Sequence, residues 1–430
     1  MAKEEKSGVV PRLRFPEFRE ASPWDRMKLS ELLRERRLRN RDLKYGPSEV
    51  LSVSGDYGCV NQIELLGRSY AGVSVKEYHV VETGDLVYTK SPLKRNPYGI
   101  IKENKGEPGI VSTLYAVYHA TELAHPAYLD HYFSRDYNLN SYLQPIVRKG
   151  AKNDMKVNNA AVLSGELLAP TILEQQKIAD CLTSLDEVIA AQGRKVEALR
   201  TYKRGLMQQL FPREGETLPR LRFPEFRDAP EWATQELGPM TSKVGSGITP
   251  LGGDKNYKIE GRPFVRSQNV GWGELLLNDI AHIDEETHCS FDGTEIQESD
   301  VLLNITGASI GRSAVADSRI VGGNVNQHVC IIRAKQDELN PVLLNQFLIS
   351  ESGQKQIDSF QAGGNRQGLN FAQIRSFNVP IPPTEYEQQR IANCLASFDT
   401  QITVEAEKLD ALKAHKQGLM QQLFPSPNEA

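Results

Sequence analysis

The chain has 430 residues, 39% apolar, 25% charged and 7% aromatic, with a formal net charge of −4 and a pI near 6.1. These values exclude a fibrous or disordered chain and a uniformly basic nucleic-acid coat, but not a local basic face. At about 150 residues per domain, roughly three pieces are expected.

The N-terminal MAKEEK leads into no apolar core of the kind a secretory signal needs. No stretch approaches the roughly 20 apolar residues of a membrane-spanning helix. The five cysteines, Cys59, Cys181, Cys289, Cys330 and Cys394, form no C-x-x-C pair, so neither a disulfide framework nor a zinc cage is expected. The reading is of a cytoplasmic, reduced protein.

The first element is an opening segment, 1–24. Its PRLRFPEFR at 11–19 recurs at 219–227, and Trp24 returns as Trp232 at the same offset. EQQKIADCL at 174–182 matches EQQRIANCL at 387–395, and GLMQQLFP at 205–212 recurs at 418–425. Three long matches in one order define a tandem duplication of a unit slightly over 200 residues long.

A first variable region, 25–173, follows. Short β-like runs such as 85–88 are bounded by Gly, Pro and Asn, and helical patterns follow, which predicts an α/β or α+β globule. Basic residues cluster in it. Eight lie between Arg26 and Lys44, and further clusters are Lys90, Lys94, Arg95 and Arg148, Lys149, Lys152, Lys156. With Ser112 and Asn153 these are the candidate DNA-contacting residues of this region, because Lys and Arg suit phosphates. Solvated helix faces and loops remain the plain alternative for each cluster.

Residues 174–212 form the first long helix, stopped by Pro212. Ile178, Leu182, Leu185, Ile189, Gln192, Val196, Leu199, Lys203, Leu206 and Leu210 step by four and three, a heptad seam. A polar linker with the second opening segment spans 213–232. The second variable region, 233–386, is amide-rich. Its candidates are Arg266, Gln268, Asn269, Asn304, Thr306, Asn324, Asn326, Gln327, His328, Asn365, Arg366 and Gln367. Asn and Gln pair bidentately with adenine and Arg with guanine, although each run alone also fits turn chemistry. The second long helix, 387–425, carries Ile391, Leu395, Phe398, Ile402, Glu405, Leu409, Leu412, Lys416, Leu419 and Leu423 in the same register, and 426–430 is a loose tail. Each rod of about 37 residues spans about 55 Å. Two equal striped rods most simply pair with each other, antiparallel, about a pseudo-two-fold axis; packing of each on its own globule is the alternative.

No phosphate-binding G-x-x-x-x-G-K-[ST] loop is present. Asn96-Pro97-Tyr98 is similar to an adenine-methyltransferase motif but lacks its second proline, and His288 and His328 have no metal-spaced partners. No catalytic or metal-binding residue is expected. The variable regions share a skeleton, with GDLV at 84–87 against SDVL at 299–302 and GIVS at 109–112 against GNVN at 323–326. One constant scaffold therefore carries two different heads.

The two RFPEF motifs, two EQQ-x-IA helix starts, two GLMQQLFP helix ends and alternating variable regions resemble the specificity subunit of type I restriction-modification enzymes. GITP at 247–250, 300–311, 324–329 and 363–370 add further likeness. The resemblance implies two target-recognition domains, each reading half of a split DNA sequence. The paired helices, an antiparallel coiled coil, would then set the gap. It also implies two modification subunits that methylate adenine with S-adenosylmethionine, and restriction subunits using ATP and Mg2+. No cofactor is then bound by this chain itself. A coiled-coil assembly scaffold whose globules bind protein is the rival reading, and an enzyme acting alone a remoter one. Residues 26–170 carry 20 Lys and Arg against 16 Asp and Glu, whereas 236–386 carry 12 against 18. The second head is therefore expected to need basic partners to hold DNA well.

Overall fold

The computed structural model describes residues 8–149, 155–250, 252–361 and 368–425. The chain is of mixed α/β class and divides into two compact units, Met1–Ala191 with Leu409–Ala430, and Gln192–Lys408. The division falls inside the two long helices, Ile172–Leu210 and Glu385–Leu423, which begin and end two residues earlier than the sequence pattern places them. Leu210 and Leu423 stand two residues before Pro212 and Pro425, as the restriction a proline imposes on its preceding residue requires.

In the first unit, Asp25–Lys28 pairs antiparallel with Glu166–Ala169, so the variable region starts and ends on one ribbon. Inside it lies a four-stranded antiparallel sheet, in the order Leu33–Glu35, Tyr115–Ala120, Leu86–Thr89, Ile100–Glu103. Leu86, Val87 and Tyr88 are all buried, because both faces of the sheet are covered. Leu86 and Tyr88 face one cluster with Trp24, Tyr128 and Phe133, whereas Val87 faces another with Leu51, Val111 and Val117.

The second unit repeats this plan by itself. Ala233–Glu236 pairs with Asn378–Ile381. The sheet runs Thr241–Ser246, Val329–Ala334, Val301–Asn304, Ser313–Val315. Val301 and Leu303 face a core with Trp232 and Phe347, and Leu302 faces the opposite one. A further sheet, Ala281–Ile283, Arg262–Val265 and Asn324–Val325, has a parallel pair that carries the candidate Asn324.

One side-chain clasp occurs in both units. Arg14 Nε and Nη2 donate to the Glu174 carboxylate at 2.8 and 2.7 Å, and Trp24 Nε1 reaches the same carboxylate at 3.2 Å. The other Arg14 contacts are the carbonyls of Ala21 and Ser22. Arg222, Glu387, Trp232, Ala229 and Pro230 reproduce every bond within 0.1 Å. The repeated R-F-P, W and E-Q-Q residues thus have one physical role, pinning the opening segment to a helix start by a bidentate buried pair.

Every seam residue named above is buried or half-buried, and none is exposed. In the second unit Gln192 Nε2 donates to Glu405 Oε2 at 2.6 Å, and Lys203 Nζ lies 2.5 Å from Asp399. In the first, Lys416 Nζ lies 2.5 Å from Asp186. In the second unit, rising numbers on one helix meet falling numbers on the other, so the packed segments run in opposite directions. Beyond the seam, Phe211 joins the Trp232–Phe347 core, and Phe424 packs on Tyr128 and Tyr132 at 5.5 and 5.8 Å. Each LFP motif therefore finishes the core of a variable region.

Candidate nucleic-acid interface

In the first unit the loop after Leu86–Thr89 is fixed from behind. Asn140 Nδ2 donates to the Arg95 carbonyl at 3.1 Å, Asn96 Nδ2 donates to Asp136 at 3.0 Å, and the Asn96 carbonyl accepts from Leu93 and Gly99 N–H. Asn96-Pro97-Tyr98 is thus a turn. Gly99 closes it at φ +89°, where a Cβ would lie 2.0 Å from the Thr89 carbonyl oxygen. The turn presents Lys94 and Arg95 to solvent. Lys90 is half-buried; burial lowers its ammonium pKa, with Glu35 opposing and Arg39 adding. Ser112 is half-buried and its hydroxyl accepts from Leu114 N–H at 3.4 Å.

Arg148–Lys149 pairs with Met155–Lys156 as a two-residue ribbon, with Arg148 opposite Lys156. The side chains of these three basic residues lie outside the described residues, as do Lys152 and Asn153. The Arg26–Lys44 run is partly spent on the fold. Arg36 pairs with the buried Asp85 at 2.7 Å, Arg37 with Glu35 at 3.0 Å, and Arg39 donates to the Glu77 carbonyl at 2.6 Å.

In the second unit the candidates split. Asn269, Asn304 and Asn324 are buried, and each uses its amide internally. Asn269 accepts from Arg266 N–H and donates to the carbonyls of Leu276 and Asp279. Asn304 donates to the Ser267 carbonyl at 2.8 Å, and Asn324 donates to the Phe291 carbonyl and bonds His288 Nδ1. These three have no surface to offer a base edge, which corrects the expectation for them. Asn326 is nearly buried and its side chain accepts from His328 N–H, capping its own turn. Asn365, Arg366 and Gln367 lie outside the described residues.

The buried amides build a shelf that carries the exposed ones. Gly247 lies against Val325, where a Cβ would meet the Val325 carbonyl oxygen at 1.6 Å, so only glycine allows Thr249 to reach Gln327. From the exposed Thr249 a chain of bonds runs to the half-buried Thr306. The Thr249 hydroxyl donates to Gln327 Oε1, Gln327 Nε2 meets His328 Nε2 at 3.0 Å, and His328 Nδ1 meets the Thr306 hydroxyl at 2.6 Å. An amide nitrogen can only donate, so His328 Nε2 accepts and Nδ1–H donates. The Thr306 hydroxyl oxygen is then the acceptor of that bond. Beside this ribbon Gln268 Nε2 donates to Asp279 at 2.6 Å, and Arg266 lies 3.4 Å from Asp279 and 5.4 Å from the Tyr257 ring centroid. The residue types missed in the sequence, Thr249, Tyr257 and Asp279, are brought in by packing; only the glycine of GITP pointed towards the first of them.

Among the described residues no cluster of three or more His, Cys, Asp or Glu could hold a metal ion, and no helix is long and apolar enough to cross a membrane. His288 is held by Asn324 and Glu295, in a structural position.

Each unit is thus a mixed α/β globule clasped to the start of a long helix and presenting polar loops. Residues 249–414 match the family described as the type I restriction modification DNA specificity domain. Similar chains include two of Methanocaldococcus jannaschii, assigned as the specificity subunits of the type I restriction enzymes MjaX and MjaVIII. They are 22% and 21% identical over 65% and 59% of this chain, and the alignments span 63% and 60% of their own lengths. Among solved structures, the type I restriction-modification S subunit from M. genitalium superposes with a TM-score of 0.62 at 12% identity, covering 97% of this chain and 99% of that one. A chain from a study of the assembly and conformational transition of the type I R-M system gives 0.52 at 19%, covering 93% and 97%. The family match covers residues 249–414, and the chain is similar beyond them to type I restriction-modification specificity subunits.

Proposed function

We propose that this chain is the sequence-reading subunit of a type I restriction-modification complex. In this reading it binds duplex DNA at a bipartite target and directs adenine methylation and restriction by partner subunits. The observation that carries it is a coincidence in one segment. The residues that match the DNA specificity domain hold a bond chain from Thr249 through Gln327 and His328 to Thr306, with Thr249 and Gln327 exposed. Such groups hydrogen-bond base edges, while Lys94 and Arg95 in the other head suit phosphates.

The heads, 25–173 and 233–386, act as two target-recognition domains. The helices 174–212 and 387–425 form an antiparallel coiled pair whose length sets the gap between half-sites. The matching clasps and the facing Gln192 and Glu405 support a pseudo-two-fold arrangement. Two modification subunits carry S-adenosylmethionine, and restriction subunits use ATP and Mg2+; this chain binds none of these and acts in the cytoplasm without catalysing a step itself.

The test is footprinting of the assembled complex on its target. Two protected blocks separated by a constant gap are expected, and one uninterrupted block defeats the two-headed reading. Binding should also weaken steeply with salt, since each phosphate contact releases counterions.

A further inference from the structure

The first head carries a tight turn at residues 40–45. Leu43 has φ +51°, a left-handed conformation that a branched apolar residue rarely adopts, and its side chain is 51% exposed. Half of its surface therefore faces solvent despite that conformation. The turn is nonetheless rigidly built. Asn40 is buried; its side chain accepts from Tyr45 N–H at 3.1 Å and donates to the carbonyls of Tyr45 and Val75 at 2.8 and 3.3 Å. The Asn40 carbonyl accepts from Leu43 N–H at 3.0 Å, and its own N–H donates to the Tyr78 carbonyl. A strained residue persists only where its surroundings over-determine it, and such places are enriched at functional sites.

Two cations flank Leu43, Arg41 and Lys44, and the carboxylates of Asp42, Glu77 and Glu82 lie near them. Arg41 extends into solvent with a side chain 75% exposed and only a 3.9 Å approach to Glu77; Lys44 lies over the Tyr45 ring at 4.9 Å. Asp42 is the one carboxylate in the turn. Arg39, at the start of the segment, bridges to His79, and the charges of Arg39 and Lys90 both act on that imidazole. Arg39 thus ties the start of the turn to the strand His79–Val81.

We propose that Leu43 is a wedge that enters the duplex at one base step, held in place by Arg41 and Lys44 on the flanking phosphates. An apolar side chain on a rigid tip between two cations has the chemistry of such an insertion, which partly unstacks a step and bends the helix. The proposal rests on the DNA-reading function above. Specificity would then be read in part through deformability at a step whose edges the head does not touch.

The experiment uses the full chain and a short duplex that the wild-type chain selects from a random-sequence pool, with 2-aminopurine placed in turn at each step. Wild type should raise the fluorescence at one step. Leu43→Ala should abolish that signal and weaken binding, by roughly tenfold as an order of magnitude for one insertion. Leu43→Gly separates function from folding, because glycine relieves the positive φ: its thermal stability should equal or exceed that of wild type while the signal is lost. Arg41→Gln should weaken binding and flatten its salt dependence without moving the fluorescent step. If wild type binds with its usual salt dependence and both Leu43 variants keep affinity and signal, the wedge is wrong and the DNA-reading function stands. If wild type selects no duplex, both fall together.

Discussion

The two Arg–Glu–Trp clasps set the strongest constraints at the scale of single residues. Glu174 and Glu387 are 1% and 0% exposed, so removing either partner strands a buried charge. Glu174→Ala should cost about 3–5 kcal/mol, and Arg14→Ala a similar amount, measured by thermal or chemical unfolding of the full chain. Ser299 has φ +68° where the first unit has Gly84 at φ +85°. Ser299→Gly should therefore stabilise by about 1 kcal/mol, and Gly84→Ala should destabilise by about as much, since no atom lies closer than 4.0 Å to the added Cβ. His79 is pushed down to about 4 by burial, with Arg39 and Lys90 acting the same way and Glu35 opposing. Its imidazole stays neutral in the folded chain while an unfolded one takes a proton near 6.5. It thus contributes stability at neutral pH that is lost as pH falls from about 6.5 towards 4. His79→Gln should flatten that part of the pH–stability curve, read from melting temperatures across the window. The residue scale is also where the sequence was least legible. Asn269, Asn304 and Asn324 have the right side chain for reading adenine, yet the neighbouring carbonyls that consume their amides are brought close only by folding.

At the scale of elements, the long helices were readable because their seam repeats in register over ten positions in each copy. Their ends were placed within two residues for the same reason, proline being an unambiguous stop. The β-sheets were harder to read. Val301, Leu302 and Leu303 form a continuous apolar run without alternation, and only the structure reveals two cores, one on each face. The LFP motif reads in sequence as a helix stop, but its phenylalanine is core. Phe424→Ala should destabilise the first unit by about 3–5 kcal/mol, and Phe211→Ala the second by a comparable amount. Hydrogen exchange resolved by segment should localise the loss to Tyr128 and Tyr132 for the former, and to Trp232 and Phe347 for the latter. Equal loss in both units from either substitution would contradict the division of the core.

For the whole molecule, the mild acidity of the chain averages two unlike heads. Residues 26–170 carry 20 basic against 16 acidic groups and 236–386 carry 12 against 18. A phosphate-rich ligand should therefore be held chiefly through the first head until basic partners join, and duplex affinity of the full chain should rise when modification subunits are added. If the coiled pair is a ruler, inserting equal lengths into both helices should change the preferred gap and leave both half-sequences unchanged. The duplication was legible at once, since repeated residues stand in the same order; the chemistry of each head was not, because its polar groups serve either folding or recognition and sequence does not divide them. Mapping methylated adenines left by this chain assembled with its modification subunits tests the central claim most directly. The two-headed account predicts one target of two fixed half-sequences separated by a constant gap. A single uninterrupted target, or methylation unaffected by replacing the polar ribbon Thr306, Gln327 and His328 with alanine, would contradict it.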